Sequence, residues 1–495
     1  MEDRRRHLCH LPLPAAGLIL VLGLALATGA CGGGGESAGD TDSRVESHDL
    51  VIEGGRVIDP ASGLDATRNV GIRDGEIVTV SAEPLRGERA IDARGLVVAP
   101  GFVDLHEHGT TPEAYRLMVR DGVTTAFELE VGTDSVAAWY RERADGRTVN
   151  YGVSVGHIPV RMAVLGDPGD FLPAGVGGSA DAGAGELAEI ERRIREGLRQ
   201  GAVAVGFGTA YTPGADMAEV ERMFAVAGEH DASVHVHARS GVAGLDSTIA
   251  AARRTGAPLH VVHVNSTGGD ELEAFLEHIR EARGSGQDVS TETYPYAAGM
   301  TRIESALFDD WRSYPDSQFQ RYQWVETGER MTRESFAEAR REGGAVVIHS
   351  RTEAQTRAAV TSPLTMIASD GFIEDGQGHP RTSGSYSKVL GRYVREEGEM
   401  SLMQALRKMT IMPARRLEER VPAMVGKGRL QEGADADITI FDPATVIDRS
   451  TYSDATVPPE GIPHVIVNGT PVVEDGELVG GVRPGEPVRA PTGDA

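Results

Sequence analysis

Cysteine is nearly absent from this chain of 495 residues: the two present are Cys9 and Cys31, both close to the N-terminus. The body that follows therefore has no disulfide framework and no thiolate to offer a metal ion. Lysine is almost as scarce, occurring only at 388, 408 and 427. That excludes a carboxylated lysine as a bridging ligand in the early strands of the main domain. Positive charge is short overall, with 49 Lys and Arg against 74 Asp and Glu and a formal net charge of −25. Such a surface repels nucleic acid and anionic membrane faces, so neither is an expected partner. The acidity itself reads as solubility.

What is present starts with an N-terminal address. Arg4, Arg5 and Arg6 precede an apolar run over 11–27, and Thr28-Gly-Ala-Cys31 sets small residues before a cysteine. This resembles a bacterial lipoprotein signal in which Cys31 is acylated, although Thr28 departs from the usual aliphatic residue. Residues 1–31 are expected to be a signal segment and 32–48, rich in Gly, Ser, Asp and Glu, a flexible tether. Lipidation, simple secretion and an uncleaved anchor all place the body outside the cytoplasm, at the periplasmic or outer cell surface. The membrane is then touched only through Cys31. The oligomeric state is left open.

With 40% hydrophobic residues the remainder is globular and long enough for a large core plus a smaller domain. Short β-type runs divided by Gly-Gly, Asp-Pro and Asp-Gly turns fill 49–98, and 425–490 repeats the style. Each alone leaves an apolar face uncovered, so a composite β-sandwich from both chain segments is expected. Between them, 99–424 alternates strand and helix. Strands are expected at 102–106, 124–130, 151–156, 203–207, 233–237, 259–263, 289–293, 345–349 and 365–370. No glycine-rich phosphate turn follows the first, which favours a (β/α)8 barrel of the TIM type over an open doubly wound sheet. Nine strands compete for eight positions, so one belongs to an insertion; 345–349 fits the barrel least well.

Polar residues cluster where these strands end. His106 and His108 alternate onto one side of the first strand. Glu128 and Glu130 end the second, His157 follows the third, His235 and His237 end the fifth, His260 and His263 end the sixth and Asp370 ends the last. Strand C-termini of a barrel converge on one mouth, so these residues are expected to form a metal centre. Neutral imidazoles and carboxylates suit Zn²⁺ or a similar divalent ion, one or two in number, with Asp370 suited to moving a proton. A bridging ligand has to come from Glu130 or Glu128, and Glu130 lies nearer the strand end. Glu128 and His235 are candidates for further ligands; otherwise the carboxylate is left to orient a histidine and His235 stands behind the ligands or is buried, while His260 is expected to be structural.

The chain resembles the amidohydrolase superfamily, and within it the N-acyl-D-amino-acid deacylases, or D-aminoacylases. The resemblance spans residues 50–489 and rests on Gly101-Phe-Val-Asp-Leu-His-Glu-His108, Val155-Gly-His-Ile-Pro-Val-Arg161, His237-Ala-Arg239, Tyr294-Pro-Tyr296, Met366-Ile-Ala-Ser-Asp-Gly371 and His379-Pro-Arg381. It implies metal ligation by His106, His108, His237 and His263 and a general acid/base role for Asp370. Arg381 and Tyr294 fall where the family groups side chains around the substrate carboxylate. His157 and Asn265 complete the expected substrate-binding set. Two departures stand out. The deacylases carry a metal-binding cysteine just after the second strand, where this chain reads Glu128-Leu-Glu-Val-Gly132, and their lysine two residues after the sixth-strand histidine is Asn265 here.

These observations lead to a metal-dependent hydrolase of small amides, with a metal-bound hydroxide as nucleophile and N-acyl-D-amino acids as the leading small-molecule substrates. A dipeptidase or a hydantoinase-like hydrolase of cyclic amides keeps the site and changes the bond. A surface lipoprotein that binds a solute without turnover is the alternative of another class.

Overall fold

The computed structural model describes residues 47–493. The expected signal segment, nearly all of the tether, Cys9 and Cys31 lie outside the described residues. Eight strands form the main domain: β1 (Phe102–Asp104), β2 (Val123–Thr133), β3 (Asn150–Gly156), β4 (Val205–Gly208), β5 (Val234–His237), β6 (Leu259–Val261), β7 (Val289–Thr293) and β8 (Thr365–Ile367). Each pairs in parallel with the next in chain order. The seam between β8 and β1 is drawn together just beyond the strand ends. There the Asp370 N–H donates to the His106 carbonyl at 2.6 Å and the Ser369 N–H to Asp104 Oδ1 at 3.1 Å. Parallel strands covered on both faces read as near-continuous apolar runs, which is why β2 and β3 alternate so weakly.

Helices close the outside by periodicity. In Ala184–Arg199 the residues Ile190, Ile194 and Leu198 form one buried stripe, while Glu189 and Arg192 pair on the far side. Each fully buried aliphatic side chain contributes roughly 1.5–3 kcal/mol. Gly197 sits on the buried stripe because a Cβ there would lie 2.5 Å from Val155 Cγ2 of β3.

The ninth expected strand, Ala345–His349, lies outside the barrel. It pairs antiparallel with Ala298–Arg302 and Tyr322–Trp324 in a three-stranded sheet inserted between β7 and β8. That insert has its own aromatic core of Phe308, Phe319, Tyr322 and Phe336, which takes up the apolar face of the strand.

The two chain segments build one nine-stranded sheet. Val97–Pro100 pairs antiparallel with Ile438–Phe441, joining the strands from before the barrel to those from after it. Leu50, Ile52, Val70, Ile438 and Ile466 share its core. A buried network fastens this sheet to the N-terminal end of β3. Lys427 Nζ donates to Asp437 Oδ2 at 2.9 Å and to Asp435 Oδ2 at 2.7 Å. Asn150 Nδ2 donates to Asp437 Oδ2 at 2.9 Å, and the Asn468 N–H to Asp437 Oδ1 at 2.8 Å. Burial opposes the charge on Lys427, but Asp437 and Asp435 outweigh it and raise its pKa. Among the described residues no helix is long and apolar enough to cross a membrane.

Candidate metal centre and active site

The C-terminal strand ends carry four histidines and three carboxylates into one region. His106 and His108 follow β1, Glu128 and Glu130 belong to β2, His237 closes β5, His263 follows β6 and Asp370 follows β8. Glu130 is central. Its Oε2 lies 2.8 Å from His106 Nε2 and 3.2 Å from His263 Nε2, and its Oε1 lies 3.2 Å from His237 Nδ1. One carboxylate thus joins the His106–His108 side to the His237–His263 side. Asp370 Oδ1 faces His108 Nε2 at 3.4 Å and His106 Nε2 at 3.5 Å, while its Oδ2 forms an ion pair with Arg381 Nη1 at 2.7 Å.

Outer partners set which nitrogen each ring offers. His106 Nδ1 is engaged by Glu292 Oε1 at 2.5 Å, His108 Nδ1 by Glu128 Oε2 at 2.7 Å and His263 Nδ1 by Thr267 Oγ1 at 3.1 Å. Each of these rings therefore turns Nε2 inward, whereas His237 offers Nδ1. Glu128 is held in place by the Val131 and Gly132 N–H groups, which donate to its Oε1 at 3.1 and 3.2 Å. Two positions carry backbone strain: His263 has φ 32° and Asp370 φ 52°, conformations in which L side chains are costly and which concentrate at functional sites.

The donor set suits a divalent cation. His106 Nε2 and His108 Nε2 are 3.1 Å apart, so two neutral rings with Nδ1 donating would aim lone pairs at each other. A proton or a metal ion relieves that repulsion. Ligand atoms of His106, His108 and Glu130 lie within 4.8 Å of one another, as do those of Glu130, His237 and His263 and those of His106, His263 and Asp370. Imidazole with carboxylate is the ligand chemistry of zinc and its neighbours. Without a metal, His106 and His108 take up protons. Burial opposes a charge on His108, yet Glu128 and Asp370 push its pKa up to about 10. Burial likewise opposes charge on His106, but Asp370, Glu292 and Glu130 hold its pKa well above the usual imidazole range. Asp370 is itself held well below the usual carboxylate range, since Arg381, His106 and His108 outweigh its burial.

Several expected site residues stand elsewhere. His157 starts the helix His157–Leu165 rather than ending a strand; its Nε2 bonds Glu219 Oε1 at 2.8 Å and its ring stacks on Phe207, outside the cavity. Asn265 is buried and spends its Nδ2 on the Tyr294 carbonyl at 3.1 Å. His235 points into the barrel beneath the mouth, 3.1 Å from Ser233 Oγ. His260 also faces inward: its Nε2 lies 3.1 Å from Glu292 Oε2, so it props the carboxylate that orients His106. Glu292 and Arg351 were not singled out from the sequence. A glutamate in the middle of the buried strand Val289–Thr293 is the signal that marks the first; Arg351 follows the insert and has no local signal.

A cavity of about 210 Å³ opens above these groups, lined by His108, Glu130, His237, His263, Asp370, Tyr294 and Arg381, with Phe171, Leu307, Phe372 and Arg351 forming outer walls. A parallel barrel with mixed imidazole and carboxylate groups at its mouth, and a fixed carboxylate beside them, is the frame of a metal-dependent hydrolase. The chain belongs to the amidohydrolase family, whose profile matches residues 89–473. It is similar to the N-acyl-D-glutamate deacylase of Alcaligenes xylosoxydans xylosoxydans, with 33% identity over 86% of this chain and 94% of that protein. The D-aminoacylase of the same organism is 28% identical over 89% of this chain and 97% of its own length. Among solved structures, the N-acyl-D-glutamate deacylase of Bordetella bronchiseptica, complexed with zinc and a phosphonate inhibitor, superposes with a TM-score of 0.77. It is 29% identical, over 90% of this chain and all of that one.

Proposed function

We propose that the protein is a zinc-dependent deacylase of N-acyl-D-amino acids, cleaving the linear amide to a carboxylate and a free amine. The observation that carries this reading is Glu130, whose two oxygens reach three histidines while Asp370 stands opposite with one oxygen held by Arg381. His106, His108, His237, His263 and Glu130 would hold one or two ions. Bound zinc supplies Lewis acidity, polarising the amide carbonyl and acidifying water.

The chain's own groups do the rest. Asp370 is ionised at neutral pH because its pKa is held low, so it is available as a base. Arg381 fixes its Oδ2, which leaves Oδ1 to accept a proton from water at the His106–His108 side. The proton passes to the leaving nitrogen, a far stronger base than the carboxylate. The aromatic and aliphatic outer wall suits an acyl group and keeps bulk water from the reacting bond.

A zinc-supplemented assay on N-acetyl-D- and N-acetyl-L-amino acids, dipeptides, hydantoins and dihydroorotate tests this. Hydrolysis of the N-acetyl-D-amino acids above the other classes is expected; turnover confined to the cyclic amides or the dipeptides overturns it. The protein is further proposed to work outside the cytoplasm, anchored by an acylated Cys31, supported by Arg4 to Arg6, the apolar run over 11–27 and the small residues before that cysteine. Labelled palmitate incorporated by the wild type and not by Cys31→Ser checks it, and equal labelling of both overturns it.

A further inference from the structure

We propose that Arg351 is the group that receives the carboxylate of the substrate. The inference rests on the deacylase reading above and names a residue that reading leaves unused. Three guanidinium groups line the cavity, those of Arg302, Arg351 and Arg381. Arg381 is committed to Asp370 at 2.7 Å. Arg302 lies 3.3 Å from Glu374 Oε2. Arg351 has no carboxylate ion-pair partner among the described residues, although the chain carries 74 acidic side chains. A half-buried cation left unpaired in so acidic a protein calls for an anion that arrives from outside.

Its donors are held ready. Nη2 donates to Tyr294 Oη at 2.7 Å and Nη1 to Ser266 Oγ at 3.2 Å, while the buried Nε has no partner. Two of the five guanidinium N–H groups are thereby used, and both partners are neutral. Because Tyr294 Oη accepts from Arg351, its own proton is turned to another acceptor. Guanidinium and phenol, in contact and both on the cavity wall, thus offer two neighbouring donors to an entering oxyanion, the pairing that carboxylate recognition uses. The Arg351 guanidinium also sits 5.3 Å from the Tyr294 ring centre, and that of Arg381 4.6 Å from it, so both border the same tyrosine.

The backbone protects the arrangement. The Arg351 N–H donates to the Ala297 carbonyl at 3.2 Å. A Cβ on Gly299 would come within 3.0 Å of Tyr294 Oη and 3.4 Å of Arg351 Nη2, so glycine leaves the pair undisturbed. Asn265, at the position where the resemblance places a lysine, is turned to the Tyr294 carbonyl and brings no charge.

The test uses zinc-loaded full-length protein, wild type, Arg351→Gln and Arg351→Lys, with N-acetyl-D-leucine, its carboxamide and N-acetyl-D-glutamate. A charge-assisted contact of this kind predicts that Arg351→Gln raises KM for the carboxylate substrates about ten- to a hundred-fold with a smaller change in kcat. The preference for N-acetyl-D-leucine over its carboxamide falls with it, Arg351→Lys recovers part of the loss, and inhibition by free D-leucine weakens in parallel. Loss on both carboxylate substrates assigns the seat to the backbone carboxylate. Loss confined to N-acetyl-D-glutamate assigns it to the side-chain carboxylate. An unchanged KM on both, or an equal loss on the carboxamide, overturns the proposal while the deacylase reading stands. A wild type inactive on all N-acyl substrates takes down both readings.

Discussion

Two buried polar networks sit at opposite ends of the barrel strands, and they differ in how far their groups are satisfied from within. Below, Lys427 meets Asp435 and Asp437, and the remaining oxygen and amide groups are closed by Asn150 and Asn468. Above, Glu128, Glu130, Glu292 and Asp370 crowd four histidines, and only Arg381 brings a permanent positive charge. The first network is complete without a guest and holds the terminal sheet to the barrel. The second is complete only with added protons or a cation. Buried charge that closes on itself is structural, and buried charge left over marks where chemistry enters.

The largest expected effect breaks the upper network alone. Asp370→Asn should lower kcat by about a thousand-fold or more, the range for losing a general acid/base, with zinc content preserved by metal analysis. An active Asp370→Asn variant removes the proposed proton route. Next, Lys427→Met should cost about 3–5 kcal/mol in urea unfolding, because it strands the buried Asp437 carboxylate, while the folded fraction keeps its zinc and its kcat. Glu292→Gln comes third. Losing the negative charge on the group that orients His106, and one of the two acceptor oxygens shared with His260, should weaken zinc affinity about ten- to a hundred-fold, with most of kcat recovered at saturating zinc. An unaltered affinity would show that Glu292 only fills space.

The smallest effect is a slope. His108 carries a pKa near 10 in the metal-free protein, so it is protonated at neutral pH and must lose that proton before Nε2 can ligate. Zinc affinity should then rise about tenfold per pH unit for each proton released, up to that pKa. The same shift means that the metal-free protein gains stability from protonated His108 below about pH 6.5 and loses it as pH rises toward 10. Calorimetric zinc titration in buffers of different protonation enthalpy measures the proton count.

Alternation within strands made much of the site legible. His237 closes β5 and Glu130 lies in β2 as alternation expects. β1, by contrast, ends at Asp104, so His106 and His108 stand just beyond it, and the convergence of strand ends, not alternation along β1, makes them neighbours of the rest. Local breaks in the strands hid the rest. The β2 ladder shifts register between Glu128 and Thr133, so Glu128 and Glu130 take different roles despite their spacing. β6 ends at Val261 and His263 turns with a positive φ, so the alternation of His260 with His263 says nothing about which faces the barrel interior. His157 begins a helix, which swings it toward Glu219, 62 residues away. Arg351 lies 57 residues beyond Tyr294 across an insert whose path no local pattern encodes.

Zinc content of the purified protein, compared between wild type, Glu130→Gln and Lys427→Met, bears most directly on the claim that the upper network is built around a cation. At least one equivalent in the wild type and in Lys427→Met, and little in Glu130→Gln, is the predicted result. A wild type that stays metal-free after zinc loading, or that turns over N-acetyl-D-amino acids after exhaustive chelation, would contradict it.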